Sequence, residues 1–207
     1  MAEVLITLVI IGIIAAITVP LIYVNYQKQS TISKLKKAYS EFSSAVRMSE
    51  TENGPVSTWD FTLTNKEFVE KYLEKFIIVN TYGRERPDPS VNAYVSYEGY
   101  NLDGQKLNAL SGVTWYNLAD GTSFKIFSNI TNGYFWIFVD LNSSSKPNRL
   151  GRDIFMFDLY KQSKFIFWPY DWNIYTCKKG TGVQYAGGYC GAVIFNNGWE
   201  MPKDYPW

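Results

Sequence analysis

The sequence predicts an α+β fold in which one long N-terminal helix, half transmembrane and half amphipathic, packs on an antiparallel β-sheet. Three observations predict it. An uncharged apolar run opens the chain. Apolar residues at helical spacing continue straight out of that run. Short β-branched and aromatic segments, separated by turn residues, fill the remainder.

The apolar run comes first. Val4 to Gln27 contains no charged residue, and Val4 to Val24 is nearly all Val, Leu, Ile and Ala, with Thr7, Gly12 and Thr18 interspersed. This exceeds the ~18 apolar residues that mark a spanning helix, and at ~1.5 Å per residue it covers a ~30 Å bilayer core. A cleaved secretory signal would need a basic region, a shorter apolar stretch and a small-residue cleavage site, and none flanks the run. A plain single-pass anchor of an unrelated enzyme is the other reading, and hydropathy alone does not separate the two. Two features go beyond hydropathy. Glu3 stands at the mouth of the run, where a lone carboxylate is costly unless it is paired or kept at the interface. Pro20 lies inside the run and interrupts one backbone hydrogen bond.

Beyond Pro20 the helical pattern persists. Ile32, Leu35, Tyr39, Phe42 and Val46 recur at steps of three and four, with Lys28, Lys34, Lys36, Lys37, Glu41 and Arg47 between them. Asn53, Gly54 and Pro55 end the pattern. One helix of ~50 residues, about 75 Å long, is therefore predicted to carry both an anchor and a seam for a globular domain. Residues 1–27 form the transmembrane and assembly half. Residues 28–207 form an extracytoplasmic globular domain that includes the amphipathic stretch 28–52.

Within that domain, Thr64-Asn-Lys-Glu67 reads as a capping box opening a short helix through Phe68, Tyr72, Leu73 and Phe76. Strands are predicted at Val91 to Tyr97, Val113 to Leu118, Ser123 to Phe127, Tyr134 to Leu141 and Asp153 to Leu159. Asp120-Gly121 is the hairpin signal between two of them.

Composition narrows the function. The 207 residues suit one domain plus an anchor, and 46% hydrophobic content with 17% aromatics is ample for a core. Twenty Lys+Arg against 19 Asp+Glu leave a net charge of +1, too little field to favour a nucleic acid partner. No histidine is present, which removes the usual proton-transfer side chain, the commonest zinc ligand and the ordinary Ser and Cys triads. No carboxylate pair stands out by spacing, and no nucleotide-binding glycine motif occurs. A membrane-tethered hydrolase is disfavoured accordingly, and the chain is read as a non-enzyme.

The opening Glu3-Val-Leu-Ile-Thr-Leu-Val-Ile-Ile-Gly-Ile-Ile-Ala-Ala-Ile-Thr-Val-Pro20 resembles the N-terminal helix of type IV pilins and type II secretion pseudopilins. The resemblance places a glutamate, an apolar run and a proline in register over about the first quarter of the chain. It implies that Glu3 is the assembly glutamate, which meets the amino terminus of a neighbouring subunit, and that Pro20 is the helix-loosening proline. It also implies a filament subunit held in the bacterial inner membrane with its domain outside the cytoplasm. The implied partners are copies of itself and other pilin-like subunits, a prepilin peptidase, an assembly ATPase and a platform protein. In such proteins the peptidase removes a short basic leader. Here Met1 and Ala2 directly precede Glu3, so processing is not readable, and the lysines after the span are not used to orient it.

Asp140-Leu-Asn142 and Lys146-Pro-Asn-Arg-Leu-Gly151-Arg-Asp153 form an oxygen-rich loop between two strands. Side-chain oxygens around a glycine-containing turn suit a hard cation such as calcium, with Asp140, Asn142 and Asp153 as ligands. The loop resembles a D-x-N…P-N…G-x-D-x-F segment of pilin-like secretion proteins, whose major members have calcium-binding loops. The same residues are also ordinary turn formers, and both readings stand. Cys177 and Cys190, an even pair close in sequence in an exported domain, read as a disulfide worth about 3 kcal/mol. Two reduced thiols are the alternative. The tail from Cys190 to Trp207 also resembles the C-terminus of secretion-type pseudopilins. A filament subunit is thus expected. A membrane-anchored binding module, for glycan, surface adhesion or DNA uptake, is the second expectation, because exposed aromatic rings stack on sugars.

Overall fold

A computed structural model describes residues 2–77, 98–110, 115–129, 133–143, 145–161, 164–167 and 177–207. Helix α1 runs unbroken from Ala2 to Asn53 with Pro20 inside it. Gly54, at φ 78°, stops it in the left-handed conformation that glycine adopts without penalty at a helix C-terminus. A single 3₁₀ turn, Val56–Thr58, leads to α2, Asn65–Tyr72. The capping box is formed: Glu67 N–H donates to Thr64 Oγ1 at 3.4 Å, and Thr64 N–H donates to Glu67 Oε2 at 3.0 Å. The Thr64 hydroxyl, which donates to Glu67 Oε2 at 2.7 Å, and the Thr64 amide together hold the Glu67 carboxyl below its usual range.

Five antiparallel strands follow in sheet order β1-β2-β3-β4-β5: Tyr116–Asn117, Ser123–Asn129, Tyr134–Asp140, Ile154–Tyr160 and Lys164–Phe167. Asp120-Gly121 makes the β1–β2 hairpin, with Gly121 at φ 85°. A last helix, α3, spans Cys190–Asn196. Four of the predicted strands correspond to β1–β4; of the predicted Val113 to Leu118, residues 113 and 114 lie outside the described residues and Tyr116–Asn117 form β1. The predicted strand Val91 to Tyr97 lies outside the described residues.

Register sorts the strands into two faces. Pairings Phe124↔Val139, Ile137↔Phe157 and Leu159↔Phe165 align one face, which meets α1 through Ile32, Leu35, Ala38, Phe42, Ala45 and Val46. Phe42 stands edge-on to Phe124 at 5.2 Å, and Tyr39 stacks on Phe167 at 5.1 Å. The opposite face is also covered: Phe138, Ile154 and Met156 form a second core with Leu107, Leu110 and Leu150. A sheet apolar on one face only would alternate, yet β4 is buried from Ile154 through Leu159. The molecule therefore has three layers, helix, sheet and loop, rather than two.

Candidate functional site

The predicted assembly residues, Glu3 and Pro20, sit on the exposed part of α1. Every large apolar side chain from Val4 to Tyr26 is 36% to 69% exposed, whereas Leu35 and Phe42 are fully buried. The helix is, by length and composition, a candidate membrane span or signal sequence. The two threonines of this exposed part are satisfied within the helix. Thr7 Oγ1 donates to the Val4 carbonyl at 2.9 Å and Thr18 Oγ1 to the Ile14 carbonyl at 2.8 Å, as hydroxyls do where water is scarce. Pro20 lacks an N–H and leaves the Ala16 carbonyl without its helical donor. Glu3 is exposed in the first turn, where the helix dipole favours an anion. Glu3 and Pro20 lie 17 positions apart, about 25 Å along the helix.

The oxygen-rich loop, by contrast, is gathered. Asp140 closes β3 fully buried, and its Oδ1 accepts the Asn142 N–H at 3.0 Å. Asp153 opens the way into β4. Its Oδ2 accepts the Asn148 N–H at 2.8 Å and Asn142 Nδ2 at 3.3 Å, and its Oδ1 accepts the Arg149 N–H at 2.7 Å. Burial raises the Asp153 carboxyl above its ordinary range despite the Arg149, Asn148 and Asn142 donors. Two amide oxygens, Asn142 Oδ1 and Asn148 Oδ1, are buried and have no hydrogen-bond partner. The three sequence-predicted ligands are thus in one hydrogen-bonded group, with Asn148 as an unforeseen fourth member. The group fits a hard cation in its all-oxygen chemistry and its orphaned amides. It does not supply three acidic, Cys or His side chains at one point, and none such converge among the described residues.

Cys177 and Cys190 form a disulfide with Cα atoms 4.8 Å apart. The bridge reaches the loop through Gly151, which sits at φ 77°. A Cβ there would lie 2.7 Å from Cys190 Sγ. Tyr205 Oη donates to the Gly151 carbonyl at 2.5 Å and ties the tail to the same point.

A family model, described as a family of unknown function, DUF6613, matches residues 21–207. The chain belongs to the DUF6613 family. Comparison with curated proteins and with solved structures gives no match. In this DUF6613 chain the amphipathic helix, sheet, loop and disulfide all fall within the matched residues.

One further group in the DUF6613 domain carries no signal in its local residue pattern. On the outer sheet face, Asp158 pairs across the ladder with Trp136, which pairs in turn with Phe127. Asp158 is 6% exposed, and its Oδ1 has no hydrogen-bond partner among the described residues. Burial pushes its carboxyl up to about 8. Around it runs a row of half-buried rings: Phe127 to Trp136 at 5.9 Å, Trp136 to Tyr134 at 5.7 Å, Tyr134 to Tyr160 at 5.5 Å and Trp136 to Tyr185 at 5.3 Å. Alternation in a strand can place an acid on a face. It does not reveal that loops cover that face too.

Proposed function

We propose that the protein is a structural subunit of a type IV pilus-like or type II secretion pseudopilus filament, and not an enzyme. The observation that carries this reading is the division of α1, whose second half is the spine of a folded domain while its first half exposes a continuous apolar surface. Burying such a surface is strongly favourable, so it rests in lipid before assembly and against copies of itself afterwards. Glu3 then meets the amino terminus of a neighbour in a low-dielectric setting, where a pair is strong and an unpaired charge is costly. Pro20 lets the helix bend as it leaves the bilayer for the filament core.

The resemblance supplies the remaining partners of this reading: a prepilin peptidase, an assembly ATPase and a platform protein at the bacterial inner membrane. Calcium belongs to it as well, held by Asp140 and Asp153 together with the orphan oxygens of Asn142 and Asn148. Electron microscopy of the producing cells tests the reading. Wild type gives filaments, and deletion of residues 2–27 or Glu3→Ala abolishes them while the domain stays folded. Filaments of normal length from Glu3→Ala would remove Glu3 from the mechanism.

One observation favours a second reading, a binding module. The ring row along Phe127, Trp136, Tyr134 and Tyr160 forms a partly exposed aromatic strip of the kind that stacks on sugars. Glycan-array binding that is lost in Tyr134→Ala would establish it.

A further inference from the structure

Where α1 emerges from the domain it is flanked by two clefts. One lies between Lys28 to Lys36 and the tail segment 198–203. The other, about 210 Å³, lies between Tyr26 to Lys34, the 141–153 loop and Trp207. Six cations line them: Lys28, Lys36 and Lys203 on one side, Lys34, Lys146 and Arg152 on the other. Two carboxylates, Glu200 and Asp153, share the clefts, and Asp153 is already bound to three N–H donors.

Among the described residues none of the six cations makes an ion pair. Instead, Lys34 Nζ donates to the Leu141 carbonyl at 3.2 Å. Lys36 lies over the Trp199 ring at 5.8 Å, and Arg152 over the Trp207 ring at 4.8 Å. These contacts position three of the cations without pairing them to an acid, and Lys146 feels the Glu98 carboxylate at longer range. A chain with net charge +1 has thus gathered six cations against two carboxylates at one end of its domain.

The height of that end points to what it meets. Lys28 follows Val24, the end of the apolar run, by four residues, a rise of ~6 Å. A bilayer of ~40–45 Å with a ~30 Å core has headgroup layers of about that thickness. Lys34 stands ~15 Å above Val24, about one Debye length (~8 Å) beyond the headgroups, and its own side chain shortens the gap. Trp199 and Trp207, beside the cations, are the residue type that favours the same interface.

We propose that this collar binds the phosphate headgroups of anionic phospholipids while the subunit resides in the bilayer. The inference rests on α1 spanning the membrane. Charge complementarity selects the headgroup, and the second cleft has room for a phosphate with its water. Anionic lipid then orients the domain on the membrane surface and is released when the subunit leaves for the filament.

The test uses the full chain reconstituted in vesicles of equal phosphatidylglycerol and phosphatidylcholine with chelator present, so that calcium bridging does not contribute. Native mass spectrometry then counts the lipids retained. Wild type should retain phosphatidylglycerol over phosphatidylcholine by roughly tenfold, falling with salt. Replacing the exposed Lys34, Lys36, Lys146 and Lys203 by Gln should bring the ratio to near unity, and Arg at the same four positions should restore it. Equal retention by a wild type that floats with the vesicles overturns the collar alone, as does a Gln variant that keeps the preference. A chain that floats with neither anionic nor neutral vesicles overturns the span and the collar together.

Discussion

Asp158 places a titratable cost inside the domain at the scale of one residue. Its folded pKa, about 8, lies above that of an exposed carboxyl, so the folded state holds a proton that the unfolded state releases. Stability is therefore greatest at low pH and is lost as pH rises from about 4 towards 8, at up to ~1.4 kcal/mol per pH unit. Asp158→Asn should melt higher than wild type at pH 8, with the difference vanishing near pH 4; parallel melting curves would contradict this. Gly151 is a steric requirement rather than an electrostatic one. Ala there meets both the +77° backbone and Cys190 Sγ, a cost on the order of 2–4 kcal/mol readable by urea denaturation. The loop oxygens give a third measurement. Calcium should raise the melting temperature of wild type and not of the double variant Asn142→Ala/Asn148→Ala. An unchanged wild-type melting temperature with and without chelator would dismiss the metal.

Elements differ in how far the sequence announced them. The seam of α1 was legible because helical spacing and burial are the same statement there: Ile32, Leu35, Phe42 and Val46 are buried, and Tyr39 packs half-buried beside them. The capping box was legible because Thr64 and Glu67 need only local geometry. Thr64→Ala should cost about 1 kcal/mol in thermal or urea unfolding, since one reciprocal pair of caps is lost. Strand β5 and helix α3 were not foreseen. Phe165 and Phe167 lie in a four-residue strand too short to show a period, and α3 owes its position to the Cys190 bridge and to the close approach of Gly191 to Phe167. The candidate ligands Asp140, Asn142 and Asp153 were legible as a group, because turn formers and oxygen donors are the same residues. Asn148 and Asp158 were not, because burial by a distant loop leaves no local trace. The hairpin is held to α1 by Lys37 Nζ, which donates to Asp120 Oδ2 at 2.7 Å. Burial opposes ionised Asp120, but the Lys37 and Thr122 donors hold its carboxyl below the usual range. Such a half-exposed pair contributes at most about 1 kcal/mol, so the buried rings above it do more to seat the sheet on the helix.

For the whole molecule, α1 couples two environments. Its second half is fixed by the sheet, so the direction of the helix from Asn53 back to Pro20 follows from the domain. In the proposed filament, copies packed rod against rod would place their domains outward at a regular stagger. The disulfide, Gly151 and Tyr205 join the tail to the loop. The most direct measurement is photocrosslinking in the producing cells with a benzoyl-phenylalanine at Ile11, midway along the exposed rod. The expected result is a ladder of self-adducts in the membrane and filament fractions that disappears with Glu3→Ala. A chain recovered as a monomer from the soluble fraction, with no self-adduct, would contradict it.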